Sequence, residues 1–88
     1  MAQVPDRRYR GTVLVVEDSD DVLDVVEGGL GVRGYRVLAA HDGLKALTLL
    51  ASVPVDAIVL DLNMPIMSGW EFLDVRSADP WLAAIPVV

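Results

Sequence analysis

The sequence predicts an α/β domain built on a parallel sheet. Short apolar runs, TVLVV at 12–16, YRVLAA at 35–40 and AIVL at 57–60, alternate with longer stretches whose apolar residues recur at helical spacing. The first run lacks the polar alternation of a half-exposed strand, so it suits a strand covered on both faces. Strands and helices alternating at this spacing imply right-handed βαβ units, with helices on the faces of the sheet.

Residues 1–11 mix Pro5, Asp6 and three arginines without periodicity, and read as a flexible lead-in to a domain over 12–88. The first strand is Thr12–Val16. Ser19 and Asp20 can then cap a helix in which Val22, Leu23, Val26 and Leu30 share a face, with Asp21 and Asp24 early, where the helix dipole favours negative charge. Gly28, Gly29 and Gly31 weaken that helix, each by about 1 kcal/mol relative to Ala in an interior position. Gly34 is placed to end it. A second strand is expected at Tyr35–Ala40, broken by Asp42 and Gly43. Leu44, Leu47, Leu50 and Ala51 suggest a second helix that stops before Pro54. Ala57–Leu60 is the third strand, 62–68 a loop containing Pro65, and Gly69–Ser77 a third helix. Asp79 and Pro80 mark a further break, and Ile85–Val88 resembles the opening of a fourth strand.

Composition narrows the functional classes. The chain has 88 residues, 53% of them hydrophobic, with a mean hydropathy of +0.46, so a single domain with an adequate core is expected. The net charge of −6, with no basic cluster beyond Arg7, Arg8 and Arg10, argues against direct nucleic-acid binding by this segment. The absence of cysteine excludes disulfides, thiolate metal sites and a cysteine nucleophile. No apolar run approaches the roughly 20 residues that span a bilayer, and MAQVPDRRYR lacks the apolar stretch of a secretory signal. A cytoplasmic domain without membrane contact is the expectation.

Three carboxylates carry the chemistry. Glu17 and Asp18 follow the first strand and Asp61 follows the third, which puts all three at carboxyl ends of strands, where parallel sheets bind ligands. Carboxylates gathered in this way repel one another, and a hard cation or retained protons relieve the repulsion. Mg²⁺ needs only one or two carboxylates and a carbonyl from the protein, because it keeps several waters. Asp18 and Asp61 are the candidates for direct ligands. Glu17 would bind directly or through water, and the backbone carbonyl of Asn63 is a further candidate. An aspartate oxygen can also attack phosphorus while a metal neutralises the incoming charge.

The segments VLVVEDSDD and IVLDLNMPIMSGWEFL resemble the two acidic signatures of bacterial response-regulator receiver domains. The resemblance extends over Thr12 to Val88. Its more specific part is the second segment, with Asp61 at a strand end, the Met64–Pro65 pair and Gly69 in the expected order. It implies a flavodoxin-like doubly wound sheet, of which this chain would hold about three βα units and the start of a fourth strand. By the resemblance Asp61 is the phosphoacceptor, Glu17 and Asp18 organise Mg²⁺, Asn63 lends its carbonyl, and the donor is a histidine kinase or phosphotransfer protein. It further implies a two-component signalling module, not an enzyme, with at most weak self-dephosphorylation. In the family, phosphorylation shifts a pre-existing conformational equilibrium. Complete receivers add a Ser/Thr hydroxyl after the fourth strand and a Lys after the fifth, both falling beyond Val88, so this segment alone is expected to label poorly. Lys45, on the predicted second helix, does not replace that Lys.

Two other functions fit the acidic pocket: an interaction module independent of phosphorylation, and a Mg²⁺-dependent phosphatase working through an aspartyl phosphate. An incomplete sheet is also expected to self-associate or swap domains through its exposed edge. Outside the trio, Asp20, Asp21 and Asp24 read as helix-start and surface charges, and His41 as an ordinary surface residue. The sulfur of Met64 and Met67 is ill matched to Mg²⁺. Trp70 and Trp81 could form an interaction patch, but partial burial in the core is the expectation.

Overall fold

Alternate side chains along the first strand point to opposite layers, and that alternation organises the molecule. In the computed structural model the described residues are 8–61 and 69–88, with backbone alone for Gly69 and Trp70. The expected loop at 62–68, and with it Asn63, Met64 and Met67, lies outside the described residues.

The elements are β1 (Thr12–Val16), α1 (Asp20–Val32), β2 (Arg36–Ala40), α2 (Gly43–Leu50), β3 (Ala57–Leu60), α3 (Gly69–Ala78) and α4 (Pro80–Ala83). The sheet is parallel, in the order β2-β1-β3, with Leu14 paired to Leu38 on one side and to Ile58 on the other. Val13 and Val15 pack with Leu23 of α1, joined by Val26, Leu30, Val37 and Val59. Leu14 and Val16 point the other way, into a cluster with Ala40, Ala46 of α2, Ile58 and Phe72 of α3. Helices therefore cover both faces, which is why β1 is apolar from Val13 to Val16, the four residues that are buried. The first crossover runs from β1 to β2, and the second passes back over β1 to β3. Right-handed crossovers in opposite directions put α1 and α2 on opposite faces.

Local chemistry sets the boundaries. Ser19 caps α1, its hydroxyl accepting the Val22 N–H, and Asp42 caps α2 by accepting the Lys45 N–H at 2.8 Å. At the other end of α1, Arg33 and Tyr35 both donate to the Leu30 carbonyl and Gly34 donates to Gly31. Tyr35 is thereby committed to ending the helix, so β2 starts at Arg36 and not at the expected Tyr35. The termination needs φ = +92° at Gly34, and a Cβ there would also come within 3.2 Å of Arg10 Cγ. Gly34→Val is expected to lower folding stability by about 1–2 kcal/mol or more, read as a lower urea midpoint.

The fourth strand is present as the expected opening. Val87 bridges Ile58 in parallel, with Ile58 N–H donating to Pro86 and Val88 N–H donating to Ile58. It lies beside β3, on the side away from β1.

The break expected at Asp79–Pro80 separates α3 from α4, where Asp79 caps α4 by accepting the Trp81 N–H at 2.9 Å and Pro80 occupies the first turn, where its missing N–H costs nothing. Two further expectations need correction. Trp81 is 87% exposed, because α4 turns it away from both apolar clusters. Val22 shares the helical spacing of Leu23 but is 45% exposed, since it sits at the margin of the face that meets β1. Arg76 was not singled out by the sequence, yet its Nη2 donates to the carbonyls of Ala83 and Ile85, tying α3 to the approach of the fourth strand.

Candidate metal and phosphoacceptor site

The strand order makes the site. Because the connections leave β1 in one direction and return to β3 in the other, β1 and β3 are neighbours at the point where the winding reverses. Open parallel sheets offer their ligand crevice at that point, beyond the carboxyl ends of the strands. Glu17 and Asp18 extend from β1 and Asp61 from β3.

Backbone bonds continue past the strand ends and fix these residues. Glu17 N–H donates to the Ala40 carbonyl at 3.0 Å, and Asp61 N–H donates to the Val16 carbonyl at 2.9 Å. A carboxylate oxygen from each of Glu17, Asp18 and Asp61 lies within 4.8 Å of the other two. Glu17 and Asp61 are half-buried, and Asp18 is exposed. The side chain of Glu17 turns back on its own loop, where Oε1 accepts the Ser19 N–H at 3.2 Å. Ser19 thus caps α1 through its hydroxyl while its amide holds Glu17.

The electrostatics follow from crowding. Burial pushes the Glu17 carboxyl above its usual value; the Ser19 amide lowers it, and the neighbouring Asp61 charge raises it further. A proton on Glu17 is one way to relieve the repulsion, and a divalent cation is the other. The donor set suits a hard cation: oxygen ligands only, negative, on rigid strand ends, with one member open to water.

The sign of the pH effect follows. Between the unfolded and the raised folded value of Glu17, the native state holds more protons than the unfolded chain, so stability falls as pH rises through that window. A divalent cation taken up by the deprotonated carboxylates would oppose the loss. Urea midpoints measured across the acidic range are expected to decline with rising pH in EDTA and to decline less, or rise, in Mg²⁺.

The other candidates divide clearly. His41, exposed after β2, places Nε2 2.6 Å from Asp20 Oδ1 and joins the end of β2 to the start of α1. Asp21 and Asp24 are exposed on α1, and Lys45 is exposed on α2. No helix among the described residues is long and apolar enough to cross a membrane.

Known proteins resemble this chain in sequence and fold. The family model described as "Response regulator receiver domain" matches residues 13–88. A probable cyclic di-GMP phosphodiesterase of Vibrio cholerae is 40% identical over 77 residues, covering 88% of this chain but only 17% of the relative. The N-terminal domain of a response regulator receiver protein from Methanoculleus marisnigri is 40% identical with a TM-score of 0.85, over 89% of this chain and 63% of that one. The receiver domain of the Pseudomonas aeruginosa sensor histidine kinase PA1611, solved with a magnesium ion coordinated in its active-site cleft, is 28% identical with a TM-score of 0.83. That match covers 88% of this chain and 63% of the other. A doubly wound sheet with acidic residues at its switch point and a family match over residues 13–88 lead to one assignment: the chain belongs to the response regulator receiver domains of two-component systems.

Proposed function

We infer that this chain receives a phosphoryl group on Asp61 from the phosphohistidine of a histidine kinase or phosphotransfer protein, with Mg²⁺ held by Glu17, Asp18 and Asp61. The observation that carries the inference is the approach of three carboxylates from two adjacent strand ends to within 4.8 Å of one another. In the transfer, an Asp61 carboxylate oxygen forms the new P–O bond while the P–N bond to the donor imidazole breaks, and the bonding pair stays on that nitrogen. Bound Mg²⁺ supplies charge neutralisation where two anions must meet. Asp61 is held for attack by its N–H bond to Val16, and Glu17 and Asp18 supply the remaining negative charge for the cation. The magnesium in the Pseudomonas relative supports this choice of ion. The backbone carbonyl of Asn63, two residues after Asp61 in the sequence, would be a further ligand.

The same reading makes the protein a signalling component whose output follows a shift in conformational population. The test is incubation of the protein bearing this chain, in its complete reading frame, with phosphoramidate or acetyl phosphate. A mass increase of one phosphoryl group that requires Mg²⁺ is expected. Absence of that increase in saturating Mg²⁺ favours the phosphorylation-independent module, whereas sustained turnover of phosphate esters favours the phosphatase.

A further inference from the structure

The charges of this chain are sorted along the sheet. The acidic site occupies the carboxyl ends of the strands, whereas Arg8, Arg10, Arg33 and Arg36 gather near the amino ends of β1 and β2. Their backbone is tied together: Arg10 N–H donates to Gly34 at 2.8 Å, Arg36 N–H donates to Gly11 at 2.9 Å, and Arg33 caps α1 directly before Gly34. The stem of Arg10 runs over Gly34, where no side chain intervenes. Arg10, Arg33 and Arg36 are exposed, and among the described residues no carboxylate lies within ion-pair distance of them. Beside them the Arg8 guanidinium stands 5.7 Å from the ring centre of Tyr9, which is 40% exposed. Asp56 also lies at this end of the sheet, where its Oδ2 accepts the Thr12 N–H at 2.8 Å.

Ordinary accounts cover part of this arrangement. A cation at Arg33 complements the carboxyl end of α1, and Arg36 on the edge strand β2 discourages strand pairing. Neither role calls for Arg10 between them, nor for most of the basic residues of a chain of net charge −6 to share one end.

We propose that Arg10, Arg33 and Arg36, flanked by Arg8 and Tyr9, form a docking surface for a protein partner that presents a compact patch of carboxylates. Guanidinium groups engage carboxylates through two parallel hydrogen bonds, and Arg and Tyr are enriched where proteins meet. Size selects the partner class. Electrostatic attraction reaches about 8 Å at physiological ionic strength, so a compact acidic patch meets only the arginines. Nucleic acid or an anionic membrane extends beyond them and meets the acidic remainder of the molecule. The surface is separate from the phosphoacceptor site and stands or falls independently of it.

An oligoglutamate peptide titrated into the isotopically labelled protein at low salt tests the proposal. Amide shifts are expected at Arg10, Gly34 and Arg36, with affinity falling on the order of tenfold in the Arg10→Ala/Arg33→Ala/Arg36→Ala variant. The matching triple Lys variant keeps the charge but loses the paired hydrogen bonds, so an intermediate affinity is expected and controls for folding. Absence of binding, shifts located elsewhere, or equal affinity in the Ala and wild-type proteins would overturn the surface. Tighter binding of duplex DNA or phosphatidylserine vesicles than of the peptide, lost in the Ala variant, would overturn the partner class.

Discussion

Asp61→Asn is expected to abolish phosphoryl uptake while leaving the fold intact. The amide keeps the size and shape of the side chain but has no anionic oxygen to attack phosphorus, so labelling by phosphoramidate should fall below detection even in saturating Mg²⁺. Glu17→Gln and Asp18→Asn should behave differently. Each removes charge from the cation site without removing the nucleophile, so Mg²⁺ affinity should drop by about tenfold or more and labelling should recover at high Mg²⁺. Stability provides the control. Glu17 and Asp61 repel across the gap between β1 and β3, and that repulsion helps to raise the Glu17 carboxyl. Removing the Asp61 charge relieves it, so the urea midpoint in EDTA at neutral pH should rise, not fall. Mass spectrometry of the labelled proteins, paired with urea titrations, checks both halves. Undiminished labelling of Asp61→Asn would remove Asp61 from the role.

The carboxylates and their gathering at one edge of the sheet were legible from strand ends and the alternation of strands with helices; the strand order that makes β1 and β3 neighbours was not. The bounds of β1 and β3 follow directly from apolar runs that end in acidic residues, and the caps at Ser19, Asp42 and Gly34 are local chemistry with local signatures. That the ends of β1 and β3 meet depends on strand order, which hydropathy does not encode; it is set by the handedness of two crossovers and by which faces the helices cover. Asp79–Pro80 exposes a local ambiguity. The same pair ends one helix and starts another, and a four-residue helix is too short to show a period. Burial is less legible still. Trp81 is large and apolar yet lies open, since burial depends on what packs above a position. Glu17 is a further case: its hydrogen bond from Ser19 joins residues two apart, but only the turn into α1 brings the groups together.

Phe72→Ala is expected to be the most damaging single substitution in the core, although Phe72 looks unexceptional in GWEFLDVRSA. The sequence of α3 offers Trp70, Phe72, Leu73 and Val75 as apolar candidates. Among the residues of that helix whose burial is described, only Phe72 is fully enclosed, in the cluster of Leu14, Val16, Ala40, Ala46 and Ile58. Cutting the ring to a methyl group removes the main anchor of α3 and leaves a cavity against both β1 and β3, at a cost of about 3–5 kcal/mol. Domains of this kind hold only about 5–15 kcal/mol in total, and small ones sit at the lower end. The variant should therefore be largely unfolded or strongly shifted in its urea midpoint. Trp81→Ala is the control: it removes a larger side chain from a position that is 87% exposed, so a change within about 0.5 kcal/mol is expected. The cavity also borders Val16, which precedes Glu17, and Ile58, in the strand that leads to Asp61. Whatever fraction of Phe72→Ala remains folded should bind Mg²⁺ more weakly than the parent, because the spacing of the carboxylates depends on the packing beneath them. Mg²⁺ titration followed by chemical shift, alongside the urea curves, would separate the loss of fold from the loss of site. Parental affinity in the folded fraction would show that the strand ends hold their spacing without α3.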